Sequence, residues 1–177
     1  MAIEAFVFDA YGTLFDVQSV SQITNIEFPQ HGELITQVWR LKQLEYTWLR
    51  TLMHSYKSFW EISEDALIFT LNAIGQEASP AQIERIMDKY LNLDPYPDAI
   101  DALTALKGVP LAILSNGNQE ALDALMQNTG LGKHLDAVIS IDKVRKFKPH
   151  PEAYELVEAR LNVKPENVMF VSSNAFD

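Results

Sequence analysis

Short apolar runs and amphipathic stretches alternate along most of the chain. Ala5–Phe8 is an apolar run that stops abruptly at Asp9, with Gly12 placed where a tight turn suits it. Residues 110–114, 137–140 and 168–171 have the same short apolar character and read as buried strands. Between them the period changes to that of a helix. Residues 97–106 carry Ile100, Leu103 and Leu106 on one face, 119–128 carry Leu122 and Leu125 and stop at Gly130, and 149–161 carry Tyr154, Leu156, Val157 and Leu161. Strands alternating with helices predict a parallel sheet flanked by helices, an α/β Rossmann-like fold.

Residues 16–94 interrupt that alternation, because they read as almost purely helical. Over 31–57, Leu34, Val38, Leu41, Leu44, Trp48 and Leu52 recur at spacings of three and four, and Trp39, Tyr46 and Tyr56 make this helix unusually aromatic. A second helix is expected over 63–73, with Ser63 as N-cap and Gly75 just past its end. A third opens at Ser79-Pro80-Ala81-Gln82, where Ser79 and Gln82 form a capping box and Pro80 takes the first helical position; Ile83, Ile86, Met87, Tyr90 and Leu91 are its apolar stripe. Pro95 and Pro97 then break the chain. The expected division is a discontinuous α/β core domain, 1–15 and 95–177, with a helical cap subdomain, 16–94, inserted after the first strand.

Composition narrows the function classes. At 47% hydrophobic over 177 residues the chain can bury a proper core. Its formal net charge of −10, with no basic cluster, argues against nucleic acid or an anionic membrane as partner. Cysteine is absent, so disulfide, thiolate and cysteine–metal chemistry are excluded. No apolar stretch approaches a membrane span, and Met1-Ala2-Ile3-Glu4 runs straight into the first strand without a signal-peptide pattern. A cytoplasmic location is expected.

Polar groups gather where the apolar strands end: Asp9 and Thr13 after the first, Ser115-Asn116 after the second, Lys148 beyond the third, and Ser172, Asn174 and Asp177 after the last. In a parallel sheet these ends share one edge and converge on one crevice. In order and context they resemble the four motifs of the haloacid dehalogenase superfamily: nucleophile Asp9-Ala10-Tyr11-Gly12-Thr13, hydroxyl Ser115, lysine Lys148-Pro149, and the acidic end Ser172-Ser173-Asn174-Ala175-Phe176-Asp177. Phosphatases of that superfamily carry a second aspartate, the general acid, two residues after the nucleophile. Here Tyr11 stands there, and a phenol with a pKa of about 10 is a poor acid for that work. Halide needs no protonation to leave. Together with Trp39-Arg40, the run Gln43 to Arg50 and Ser115-Asn116-Gly117, this makes the chain similar to the L-2-haloacid dehalogenase branch.

The resemblance implies hydrolysis of L-2-haloalkanoic acids to D-2-hydroxy acids and halide through an ester on Asp9. It implies no metal and no cofactor, since a cation on Asp9 would compete with its attack on carbon. Arg40 and Asn116 resemble the halide contacts; on the residues alone, Arg40 could equally be a solvated helix residue or pair with Glu33. Lys148 is implied beside Asp9, although it could belong to a solvated basic cluster with Arg145 and Lys146. Thr13, Ser115 and Ser172 are implied to hold the Asp9 and substrate carboxylates, Tyr154 to hold the lysine, and Asn174 and Asp177 to position the hydrolytic water and Lys148. Tyr11, Leu44, Phe59 and Phe176 resemble the apolar substrate wall, with Phe176 in place of the tryptophan common there. Homodimers are common in the branch, so a homodimer through the 31–57 helix is expected. The branch also continues for a helix, a strand and a helix past the point matching Asp177, which implies that a carboxyl-terminal part is missing. The alternatives are a phosphatase-like hydrolase of the same superfamily and an inactive truncated fold that serves only binding or assembly.

Overall fold

A computed structural model describes residues 2–177. In chain order the elements are strands β1 (Ala5–Phe8) and β2 (Phe15–Asp16), helices α1 (Ser21–Glu27), α2 (Gly32–Leu52), α3 (Phe59–Ala73) and α4 (Pro80–Asp88), and strand β3 (Asp94–Pro95). The chain continues with α5 (Ala99–Ala105), β4 (Leu111–Ser115), α6 (Gln119–Thr129), β5 (Ala137–Ser140), α7 (Pro151–Leu161) and β6 (Val168–Val171).

The four longer strands form one parallel sheet in the order β5-β4-β1-β6. β1 is central, and Phe6 pairs with Leu111 on one side and Met169 on the other. Every residue of β4 is buried, as expected of a parallel strand covered on both faces. The chain leaves β1 for β4 and β5 on one side and returns to β6 on the other, so the crevice outside the carboxyl ends lies beside β1. The ladder continues past β1, where the Asp9 N–H donates to the Val171 carbonyl at 2.9 Å. This is the Rossmann-like sheet with an inserted helical subdomain that the alternation of patterns implies.

The two ends of the insertion meet. β2 and β3 pair antiparallel, Phe15 with Pro95 and Asp16 with Asp94. Two-residue strands leave no periodicity to read, so the sequence gives no sign of this ribbon. Helix α3 begins earlier than expected, at Phe59: Ser58 is the N-cap and shares a capping box with Glu61. Ser63 is instead buried inside the helix, its hydroxyl donating to the Phe59 carbonyl at 2.7 Å. The Ser79–Gln82 capping box is present, with Pro80 at the first position.

The apolar stripe read along α2 is not its buried face. Leu34, Leu41, Trp48 and Leu52 are exposed, whereas Ile35, Thr36, Trp39, Gln43 and Thr47 are buried against α1 and α3. Polar residues hold that inner face because each finds a partner: Thr36 Oγ1 lies 2.8 Å from Thr24 Oγ1, and Gln43 Nε2 donates to Ser63 Oγ at 2.9 Å. Trp39 Nε1 donates to the Ser63 carbonyl at 2.7 Å. Satisfied in this way, buried polar groups cost little and fix how α2 seats on α3.

Candidate active site

Asp9 stands at the carboxyl end of β1, buried, with both carboxylate oxygens engaged. Lys148 Nζ donates to Oδ1 at 2.9 Å; Thr13 Oγ1 at 3.1 Å and Asn174 Nδ2 at 2.9 Å donate to Oδ2. The turn after β1 delivers Thr13. Gly12 adopts φ +97°, in the left-handed region that favours glycine, and the N–H groups of Thr13, Leu14 and Phe15 all donate to the Ala10 carbonyl. Ser173, absent from the sequence-based candidates, sets the direction of the Thr13 proton. Its hydroxyl donates to the Gly12 carbonyl at 2.6 Å and its N–H donates to Thr13 Oγ1 at 3.0 Å, which turns the Thr13 hydroxyl hydrogen toward Asp9. Its position within the polar run Ser172–Asn174 was the only hint.

Lys148 is fully buried and bridges two carboxylates, Asp9 and Asp177, each at 2.9 Å. It is therefore not part of a solvated cluster with Arg145 and Lys146. Asp177 also accepts from Ser172 Oγ at 2.7 Å and Tyr154 Oη at 3.3 Å. Burial first, and Asp177 next, push the Tyr154 phenol above its ordinary range, so it stays a neutral donor. Ser172 thus binds Asp177 and not Asp9. Ser115 does not reach Asp9 either; its Oγ accepts from the Gly117 N–H at 3.1 Å. Both serines order the loops around the carboxylates.

A small cavity opens among these groups. Its polar lining is Asp9, Lys148, Asp177, Asn174, Asn116 and Arg40, and its apolar wall is Tyr11, Leu44, Phe59 and Phe176. Tyr11 stacks on Phe59 with centroids 5.3 Å apart, and Trp48 of α2 meets Phe176 edge-on at 5.3 Å. Burial, more than the neighbouring Tyr90, raises the Tyr11 phenol above its ordinary pKa, so a proton from it is harder still to deliver. Asn116 Oδ1 accepts from the Lys148 backbone N–H at 2.8 Å, which leaves its Nδ2 as the donor for the cavity.

Arg40 reaches the cavity from the cap. Its guanidinium donates to the Tyr11 carbonyl at 3.0 Å, and among the described residues no carboxylate lies within ion-pair distance of it. Glu33 instead accepts from Asn25 at 2.8 Å. A half-buried guanidinium with spare donors and no counter-ion can hold an anion, opposite a carboxylate paired with lysine. Chemically, the arrangement can offer a fixed carboxylate on the sheet side and guanidinium donors for an anion on the cap side.

The model of the haloacid dehalogenase-like hydrolase family matches residues 3–177. The chain belongs to the haloacid dehalogenase-like hydrolases. Within that family it is similar to the L-2-haloacid dehalogenases. It is 53% identical over 175 residues to the (S)-2-haloacid dehalogenase of Xanthobacter autotrophicus, covering 99% of this chain and 69% of that protein. It is 44% identical to the (S)-2-haloacid dehalogenase of Pseudomonas fluorescens, covering 99% of this chain and 78% of that one. The solved structure of L-2-haloacid dehalogenase from Xanthobacter autotrophicus superimposes with a TM-score of 0.96, covering 99% of this chain and 71% of that one. The same enzyme with chloropropionic acid covalently bound gives 0.95 at 52% identity, with the same coverage.

In this dehalogenase-like hydrolase the wall residue Tyr11 depends on a close backbone approach. A Cβ at Gly117 would stand 2.9 Å from both Cε2 and Oη of Tyr11 and 3.1 Å from Leu122 Cδ2. Gly117→Ala is expected to displace the Tyr11 ring, destabilise the fold by about 1–3 kcal/mol and lower turnover. Denaturant unfolding together with a turnover assay checks both.

Proposed function

We propose that this protein hydrolyses L-2-haloalkanoic acids to D-2-hydroxy acids and halide. The observation that carries the reading is the pairing of a lysine-balanced, buried Asp9 with an Arg40 that has no carboxylate partner, across a small, largely apolar-walled cavity. Similarity to the (S)-2-haloacid dehalogenases supports it.

In the first step an Asp9 oxygen attacks the α-carbon. The C–O bond forms as the C–halogen bond breaks, and halide leaves with the electron pair. Attack from the sheet side and departure toward the cap give inversion, and Arg40 with Asn116 Nδ2 receives the departing anion. In the second step water attacks the ester carbonyl of Asp9. The acyl–oxygen bond breaks, one water proton passes to the departing oxygen to give the hydroxy acid, the other is released to solvent, and the carboxylate is restored. Lys148 pairs with the Asp9 carboxylate in the first step and balances the charge that gathers on the ester oxygen in the second. Asn174 and Asp177 position the water, Thr13 holds Asp9, Ser172 and Tyr154 hold Asp177, and Ser115 orders the turn that carries Asn116. Tyr11, Leu44, Phe59 and Phe176 enclose the alkyl group.

No metal is assigned a part in this scheme. Asp9 already receives three side-chain donors, and the cation shared by Asp9 and Asp177 is the Lys148 ammonium. Chloride release from L-2-chloropropionate in the presence of chelator tests the reading. Release from this enantiomer and not from the D-form supports it. Release that needs Mg²⁺, or none from a folded chain, refutes it.

The division into a core of 1–15 and 95–177 and a cap of 16–94 belongs to the same proposal and is supported by the β2–β3 ribbon, which pinches the insertion at its base. So do a cytoplasmic location and the lack of a nucleic-acid partner, the latter supported by the net charge of −10. Among the described residues no helix is long and apolar enough to cross a membrane. A homodimer through α2 is proposed as well. Its outer stripe includes Leu41, 66% exposed, and Leu52, 74% exposed, a patch of the kind that marks protein contacts. Light scattering is expected to give a dimer for this chain and a monomer after Leu41→Asp with Leu52→Asp. A monomeric parent chain refutes it.

A further inference from the structure

Arg40, Leu44, Trp48 and Thr51 follow one another along α2 at spacings of four, four and three, so they share one face of that helix. That face meets three loops at the carboxyl edge of the sheet. Arg40 donates to the Tyr11 carbonyl after β1 at 3.0 Å, and Trp48 meets Phe176 after β6 edge-on at 5.3 Å, with Leu44 on the cavity wall between them. Thr51 reaches the third loop, between β5 and α7, which carries Lys148. Its Oγ1 accepts from the Phe147 N–H at 3.1 Å.

The direction of that contact is fixed. The Thr51 hydroxyl spends its single proton on the Thr47 carbonyl, one turn back, at 3.0 Å, so a lone pair meets Phe147. Phe147 is held at its other groups too. Its carbonyl accepts from the His150 N–H at 3.0 Å, and its buried ring stacks on Tyr56 with centroids 5.4 Å apart. The next residue is Lys148, whose N–H donates to Asn116 Oδ1 at 2.8 Å and whose Nζ donates to Asp9 and Asp177. Successive amides, of Phe147 and Lys148, are therefore tied down, one to α2 and one to Asn116 on the cavity wall.

We propose that Thr51 is a positioning residue for Lys148. Through the Phe147 N–H it holds the main chain that aims the ammonium at Asp9. Because it stands on the helix that carries Arg40, about 16 Å further along, it keeps the lysine and the guanidinium in one frame. Its effect on turnover rests on the dehalogenase reading; its hold on the Lys148 main chain does not.

The test compares the full chain with Thr51→Val, Thr51→Ala and Thr51→Ser. Valine keeps the shape and removes the acceptor. Alanine removes it without setting a methyl against the Phe147 N–H, so a loss caused only by valine misfit is absent there. Serine keeps the oxygen. Expected for valine and alanine is a fall in kcat of about tenfold on L-2-chloropropionate, with KM changed by less than about twofold, and the conservative serine variant should rescue kcat. A contact that served stability alone would lower the thermal midpoint and leave kcat in place. Amide hydrogen exchange reads the main chain directly: the Phe147 and Lys148 N–H groups should both exchange faster in the valine and alanine variants and regain protection in the serine variant. A parent-like kcat in either valine or alanine, a serine variant as slow as they are, or faster exchange at Phe147 alone would overturn the proposal. If the parent chain releases no halide, the dehalogenase reading has failed, and amide exchange decides the inference. Protection lost at both residues without the hydroxyl and regained with serine supports it; protection kept at Lys148 rejects it.

Discussion

Asp9→Asn is expected to abolish halide release, by about four orders of magnitude or more, while leaving the fold in place. An amide of the same shape cannot displace halide from carbon. Thr13 and Asn174 still have an oxygen to donate to, and Lys148 keeps its second carboxylate, Asp177, at 2.9 Å. The amide nitrogen then faces the Lys148 ammonium in place of Oδ1, while one of the two carboxylates sharing that ammonium is neutralised. These effects oppose each other, so the thermal midpoint should change only modestly. Two measurements separate the chemistry from the fold. Chloride release under saturating substrate reads turnover, and a single turnover in heavy-oxygen water reads the route. If the ester forms on Asp9 and water attacks its carbonyl, the label enters the protein before it enters the product. Product labelled in the first turnover would mean direct attack of water on carbon, with Asp9 only a base. A variant that is as active as its parent would end the nucleophile assignment.

The sheet could be read closely from the sequence because its strands are short apolar runs with polar ends; β1, β5 and β6 start and stop where those runs do. The cap was harder, for reasons visible in particular residues. Ser58 and Ser63 both precede acidic residues, so both look like N-caps. What selects Ser58 is the burial of Phe59 and Ile62 in the first turn of α3, a tertiary fact. In α2 the apolar count favours the stripe through Leu34, Leu41 and Leu52, yet the buried face runs through Thr36, Gln43 and Thr47. Thr36 and Gln43 are satisfied by partners on other elements and Thr47 by the Leu44 carbonyl of its own helix, and periodicity carries no record of a partner.

The site divides in the same way. Asp9, Lys148 and Asp177 could be guessed from strand ends and are brought together by the sheet. Arg40 sits mid-helix among other charged residues and was singled out by resemblance alone; the structure adds that Glu33, its plausible partner, is engaged elsewhere. Ser115 and Ser172 were expected on the Asp9 and substrate carboxylates. Neither bonds Asp9: they face the Gly117 N–H and Asp177, because each hydroxyl closes the tight turn that follows its own strand. Ser173 lies inside the polar run that marks Ser172, Asn174 and Asp177, and nothing in its own position sets it apart from an ordinary loop residue.

Lys148→Met is the second change expected to have a large effect, and it acts on stability and catalysis together. The side chains of Lys148, Asp9 and Asp177 are only 2%, 6% and 1% exposed. Removing the ammonium leaves two carboxylates facing each other in a buried space, and breaking a buried ion pair from one side costs about 3–5 kcal/mol. The methionine fills much of the volume, so the loss measures charge more than packing. Denaturant unfolding should show that loss, and halide release should fall below detection. Adding Asp177→Asn should separate the two effects. With one carboxylate fewer, part of the lost stability should return, but turnover should not, because Asp9 still lacks the cation that pairs with it and balances its ester. A Lys148→Met protein within about 1 kcal/mol of the parent would show that the two carboxylates find protons or water without the lysine. A double variant that regained turnover would remove Lys148 from the mechanism and leave it a structural role alone.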